Sequence, residues 1–135
     1  MSDPQQPPVQ GTPSSSGLAP NIAGALAYLL GPITGILFLV IEKQNQFVRF
    51  HAAQSIVVGV ALIILSIVLS IFERILFMIP VIGWLVAILL SFGLSLGCFI
   101  LWLVLMYRAY QGREWEVPIA GEQARRMIAT RPVVP

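Results

Sequence analysis

From Ile22 to Tyr107 the chain is an almost unbroken apolar run. It is interrupted only by two tight groups of charge, Glu42, Lys43 and Arg49, then Glu73 and Arg74. Charge is costly in hydrocarbon and tolerated at its surface, so these groups mark where the chain leaves a bilayer. The pattern predicts an all-α membrane protein with three transmembrane helices over about 22–41, 52–72 and 80–107. Residues 22–41 rise about 30 Å as a helix, the thickness of a hydrocarbon core. Gly31-Pro32 lies in the middle of that span, and Pro32 predicts a kink there. Asn45 is suited to cap a second helix starting near Phe47. The stretch Ile75–Tyr107 exceeds one crossing and falls short of two, because each half would be under the roughly 17 residues a span requires. We read Glu73–Ile79 as a turn or short interfacial helix, followed by one tilted span with Trp84 and Tyr107 near its ends. The alternative is a fourth, re-entrant pass split near Ser91-Phe92-Gly93.

The flanks differ in kind. Residues 1–20 hold five prolines, four serines and three glutamines with no Lys or Arg, a composition expected to stay disordered. They lack the basic start of a signal peptide. Gln111-Gly112 ends the third helix, and residues 113–135 form a basic tail in which Trp115–Ile119 is extended. Gly121–Thr130 is expected either as a basic amphipathic helix, with Arg125 and Arg126 on anionic headgroups and Met127 and Ile128 toward lipid, or as a solvated, frayed tail. Lys43 and Arg49 in the first loop and the arginines from Arg108 onward put that loop and the C-terminal tail in the cytoplasm. With three spans, the N-terminus is then outside.

Composition adds exclusions. The 135 residues are 57% hydrophobic and 10% charged, with mean hydropathy +0.85. A soluble domain carries roughly 25% charge. A net charge of +2 does not suggest a nucleic-acid partner. A single cysteine, Cys98, allows no intramolecular disulfide. A single histidine, His51, excludes a His-rich metal site. No nucleophile–base pair or phosphate-binding glycine loop is evident, so neither an enzyme nor a cofactor is expected.

Two constellations remain. Glu42, Arg49, His51 and Gln54 are candidates for a hydrogen-bonded polar cluster facing the bundle. Its bland counterpart is a helix start at the interface with a snorkelling arginine. Small residues recur at four-residue spacing: Ala23, Ala27, Gly31 and Gly35 in the first span, Ser55 and Gly59 in the second, Gly93 and Gly97 in the third. Small side chains let membrane helices approach closely, within one chain or between chains.

The run from Asn21 through Gly31-Pro32, then Glu42-Lys43, then Phe47-Val48-Arg49-Phe50-His51-Ala52-Ala53-Gln54, resembles a family of uncharacterised small bacterial and archaeal membrane proteins. The family's mark is Phe-x-x-Phe-His-Ala-x-Gln. Tyr110-Gln111-Gly112 and Pro118-Ile119-Ala120-Gly121 fit it too. The resemblance covers about Leu18 to Ala124. It implies a helical bundle in the cytoplasmic membrane of a bacterium or archaeon, and a distant similarity to the four-span channel subunit of the chloroplast inner-envelope protein-import machinery. It transfers no catalytic residues. The expected function is a non-enzymatic small subunit or accessory of a membrane assembly, partnered by the lipid bilayer and by copies of itself or another membrane protein. The alternative is an oligomeric pore or translocation element with Arg49, His51, Gln54 and Thr34 along its path.

Overall fold

The computed structural model describes residues 13–129, which form five helices. They are α1 (Pro20–Leu26), α2 (Pro32–Ile41), α3 (Gln46–Leu76), α4 (Ile82–Tyr110) and α5 (Ala120–Ala129). Both α3 and α4 are long and apolar enough to cross a membrane, at roughly 46 Å and 43 Å by helical rise. They form an antiparallel hairpin with its tip at residues 77–81. Helix α3 outruns its expected span at both ends, beginning at Gln46 beside the expected Phe47, whereas α4 starts two residues later than Pro80 and continues three residues past Tyr107. Asn45 caps α3 as expected, its side chain accepting from the Val48 amide at 3.2 Å. Helix α4 runs unbroken through Ser91-Phe92-Gly93, so no re-entrant pass splits there.

The first expected span is where the structure departs most. Residues 22–41 form two short helices rather than one kinked helix. Gly31 at φ 61 and ψ −130 reverses the chain in a region open essentially to glycine, and Pro32 starts α2 with no donor to lose. Helix α1 and the turn after it rise beside the start of α3, from Asn21 at the Tyr110 carbonyl to Gly31 at Ser55. Helix α2 then descends: Pro32 touches Gly59, Gly35 sits at Ala52, and Glu42 meets Arg49. Three partners make this reversal tolerable. Thr34 Oγ1 donates to the Ala27 carbonyl (3.0 Å), Trp102 Nε1 to the Tyr28 carbonyl (2.8 Å) and Ser55 Oγ to the Gly31 carbonyl (2.8 Å). Backbone that is not helical survives among apolar surroundings only when it is satisfied in this way.

The arrangement of the ends follows. Ser14 and Ser15 lie on Glu42, at the same end as Tyr110 and Arg113. The described residues therefore form two long helices and a short helix pair rather than three long spans, with Ser14 and Arg113 at the same end. Residues 1–12 and 130–135 lie outside the described part, as does most of the expected disordered tail. Of residues 13–19 of that tail, Ser14 and Ser15 hydrogen-bond to Glu42, while most of the others are exposed.

The core sits at this one end, the base. Ala23, Phe38, Phe47 and Val48 form one buried cluster, Tyr28, Val58, Leu105 and Ala109 a second, and Phe50, Ala53 and Ala124 a third. Beyond Val58 on α3 no residue is buried, and along most of α4 the side chains point outward. That shaft is the part for lipid to cover.

Two turns share one construction. In Pro80-Val81-Ile82-Gly83 and Pro118-Ile119-Ala120-Gly121, the third residue's amide bonds the proline carbonyl at 2.8 Å in each. The β-branched residue between them is forced to positive φ, 66 at Val81 and 70 at Ile119. This is the strained form of the γ-turn. A Cβ on the following glycine would lie 1.8 Å from the Leu76 carbonyl oxygen at Gly83 and 2.6 Å from Glu116 Cβ at Gly121. Each turn launches a helix, α4 and α5.

Candidate functional site

The base gathers the polar side chains that the apolar pattern isolates. Glu42, Asn45, Arg49, His51, Gln54 and Ser55 are all buried. The four expected cluster members do come to this end, but they divide into two networks.

The first surrounds Glu42. Its carboxylate accepts from Ser14 Oγ (2.6 Å), the Ser15 amide (2.8 Å), Ser15 Oγ (2.9 Å) and the amides of Gln44 (3.0 Å) and Asn45 (2.9 Å). Burial opposes its ionisation, but these donors outweigh it and hold the carboxyl down to about 2. Arg49 Nη1 donates to the Glu42 backbone carbonyl at 2.7 Å rather than snorkelling outward. The network ties the segment before α1, the α2–α3 turn and the first turn of α3 into one unit.

The second runs through α3, α1 and the segment after α4. Its polarity is dictated by the backbone. The Trp115 carbonyl accepts from Gln54 Nε2 (3.0 Å) and the Val117 amide donates to Gln54 Oε1 (3.0 Å), so the amide's orientation is set. Gln54 Nε2 also donates to Tyr28 Oη (2.9 Å). The Tyr28 proton must then go to His51 Nδ1 (2.8 Å). His51 therefore carries its proton on Nε2 and gives it to the Arg113 carbonyl (2.9 Å). Edges of Phe47, Phe50 and Tyr28 box the neutral ring, with centroids 4.5, 5.2 and 5.6 Å away. Two side chains one turn apart on α3 thus hold residues 113–117 as a strap across the base.

The start of the strap has its own cause. Gly112 at φ 76 lets the Arg113 amide reach the Arg108 carbonyl (3.1 Å) and its own amide reach Ala109 (3.0 Å), the double bond of a Schellman end. Helix α5 then packs Ala124 and Ile128 on Phe50 and Ala53. Its arginines form ion pairs within the chain. Arg125 pairs with Glu114 (3.0 Å) and with Glu116, its guanidinium 4.4 Å above the Phe50 ring, and Arg126 pairs with Glu122 (2.5 Å).

The packing residues divide too. Ala27 is fully buried. Gly35 and Gly59 permit close approach: a Cβ would lie 2.8 Å from the Ala52 carbonyl and 2.3 Å from Pro32 Cγ respectively. Gly31 serves the reversal, so the expected stripe through Ala23, Ala27, Gly31 and Gly35 is broken. Gly93 and Gly97 face open space. Tyr28, Trp102 and the Ser14-Ser15 pair escaped the sequence reading. A tyrosine or tryptophan inside an apolar run needs a partner for its polar atom, and that was the available signal. Among the described residues, no three or more His, Cys, Asp or Glu side chains group as a metal site.

The chain belongs to the magnetosome magnetite crystal formation protein family, whose profile matches residues 17–123. It is 46% identical over 113 residues to UPF0132 membrane protein MJ1443 of Methanocaldococcus jannaschii, spanning 84% of this chain and 92% of that one. It is also 46% identical over 108 residues to a UPF0132 membrane protein of Archaeoglobus fulgidus, spanning 80% of this chain and 94% of that one. A second M. jannaschii protein of that name, MJ1527, is 37% identical over 110 residues, spanning 82% of this chain and 71% of that one. No solved structure matches. The chain is a helical membrane protein of an uncharacterised family, as its residue pattern led us to expect.

Proposed function

We propose that this family member is a non-enzymatic small subunit or accessory of a membrane assembly. In this reading it is a two-span hairpin with a re-entrant helix pair at its base, and it associates through the shaft. The observation that carries the reading is the placement of Gly93 and Gly97 on α4, where an added Cβ would meet nothing within 4 Å. Close-approach glycines elsewhere are used up inside the chain, whereas this pair is left for another helix. The base favours the same reading. Among the described residues no buried side-chain nitrogen or oxygen lacks a hydrogen bond, so its polar groups serve the fold. Among the described residues, the cationic Lys43, Arg49, Arg108, Arg113, Arg125 and Arg126 gather there and only Arg74 lies near the tip, which favours a cytoplasmic base with both described ends on that side.

The pore alternative, and with it the likeness to the chloroplast channel subunit, draws less support. Arg49, His51, Gln54 and Thr34 are turned inward and partnered rather than aligned along an opening. The magnetite chemistry in the family's description is not part of the proposal, since the relatives above are named only as membrane proteins.

The test is single-molecule photobleaching in bilayers, run on wild type and on Gly93→Leu and Gly97→Leu. Wild type should show a defined oligomer, or co-purify with a partner, and the leucine variants should lose it. A strictly monomeric, partner-free wild type, or variants that associate unchanged, would overturn the reading. In parallel, with Cys98→Ser, single cysteines at Ser15 and Glu122 should resist impermeant label in intact cells while one at Phe77 reacts.

A further inference from the structure

We propose that the outer face of α3 from Leu62 to Arg74 seats one membrane phospholipid, its acyl chain along the helix and its phosphate on Arg74. A groove of about 600 Å³ runs there, with Cys98 of α4 on its far wall. Its depth comes from Ser66 and Ser70, small residues one turn apart in a stripe otherwise built of Leu and Ile. Their hydroxyls donate back to the Leu62 and Ser66 carbonyls, 2.8 Å each. The floor therefore offers no free donor and is apolar in effect, suited to a hydrocarbon chain. From Leu62 to Arg74 the helix rises roughly 18 Å, close to the roughly 15 Å of one leaflet's hydrocarbon.

Charge selects the occupant. Arg74 stands at the tip end of the groove, in the last turn of α3, exposed and without an ion pair or hydrogen bond among the described residues. A planar guanidinium takes a phosphate through two parallel hydrogen bonds. A helix from a second copy would have to bring a carboxylate to Arg74. The carboxylate at that level, Glu73, already accepts from Ser91 of its own chain. A phospholipid supplies both the chain and the anion, at the depth where each is needed. The site is independent of Gly93 and Gly97, and it can be read on monomeric protein.

The experiment is native mass spectrometry of the full chain released from detergent. It is titrated with dioleoylphosphatidylglycerol and, separately, with dioleoylglycerol, which has the same chains and no phosphate. We expect one saturable phospholipid per chain, bound about tenfold or more tighter than the diacylglycerol. Arg74→Gln should bring the phospholipid down to the diacylglycerol level, Arg74→Lys should restore part of the difference, and Arg126→Gln should change nothing. Ser70→Phe fills an open groove and leaves the base untouched. It should abolish the saturable site for both lipids while helical circular dichroism stays constant. Unchanged binding by Arg74→Gln, equal affinity for the two lipids, or only graded, unsaturable lipid adducts would overturn the proposal. So would occlusion of the groove by a second copy.

Discussion

Replacing Gln54 with leucine isolates what holds the strap. The two side chains have nearly the same volume, so the change removes an amide from the base without opening a cavity. Three hydrogen bonds go with it, to Tyr28 Oη, to the Trp115 carbonyl and from the Val117 amide. Tyr28 keeps its bond to His51, so the tyrosine is not orphaned. The two backbone groups lose their only named partners, at a net cost of about 1 kcal/mol each and more if water cannot reach them. The surface ion pairs of Arg125 with Glu114 and Glu116 remain and add at most about 1 kcal/mol apiece. A loss of about 2–3 kcal/mol raises the open population of residues 113–117 roughly 30- to 150-fold. Hydrogen exchange reads this directly. The Val117 amide should exchange faster by about that factor, while the Arg113 amide, bonded to Arg108 within the helix end, keeps its rate. An unchanged Val117 rate would refute the role given to Gln54. Equal acceleration at Arg113 would mean that α4 frays and that the strap is not the unit that opens.

Two further outcomes follow from the same geometry. Glu42 is held below its ordinary value near 4.5, at about 2, so its contribution is fully present above pH 4.5 and is lost as pH falls toward 2. Exchange at the Ser15 amide should stay slow, relative to its intrinsic rate, from neutrality to about pH 4.5 and lose its protection progressively as pH falls from there toward 2, and Glu42→Gln should make it fast throughout. At the tip, Gly83→Ala drives a methyl into the Leu76 carbonyl and should cost about 3 kcal/mol in denaturant unfolding. Val81→Gly should instead stabilise by up to about 1 kcal/mol through relief of its positive φ. A destabilised Val81→Gly would show that the side chain's packing outweighs the strain.

Hydropathy and charge spacing were enough to establish membrane class, helical content, the two long helices and the Asn45 cap. These depend on local preferences and on the cost of putting charge into hydrocarbon, both of which are written residue by residue. The end of α4 at Gly112 was legible for the same reason, whereas the helix after Gly121 was legible only as one of two alternatives, beside a solvated tail. The small-residue spacing was visible, but its use was not: Gly35 and Gly59 pack inside the chain, Gly31 makes a turn, and Gly93 and Gly97 pack against nothing. The polar cluster was half legible. Its members were singled out, but their partners were not, because His51 bonds a carbonyl 62 residues away and Gln54 one 61 away. The spans were misread at residues 22–41 because an apolar run of the right length is equally consistent with one crossing or with a helix pair that enters and returns. Only the packed structure decides between them. Thr34, Trp102 and Ser55 satisfy the carbonyls exposed by the reversal at Gly31, and without those distant donors a continuous helix would be the cheaper path for the same residues.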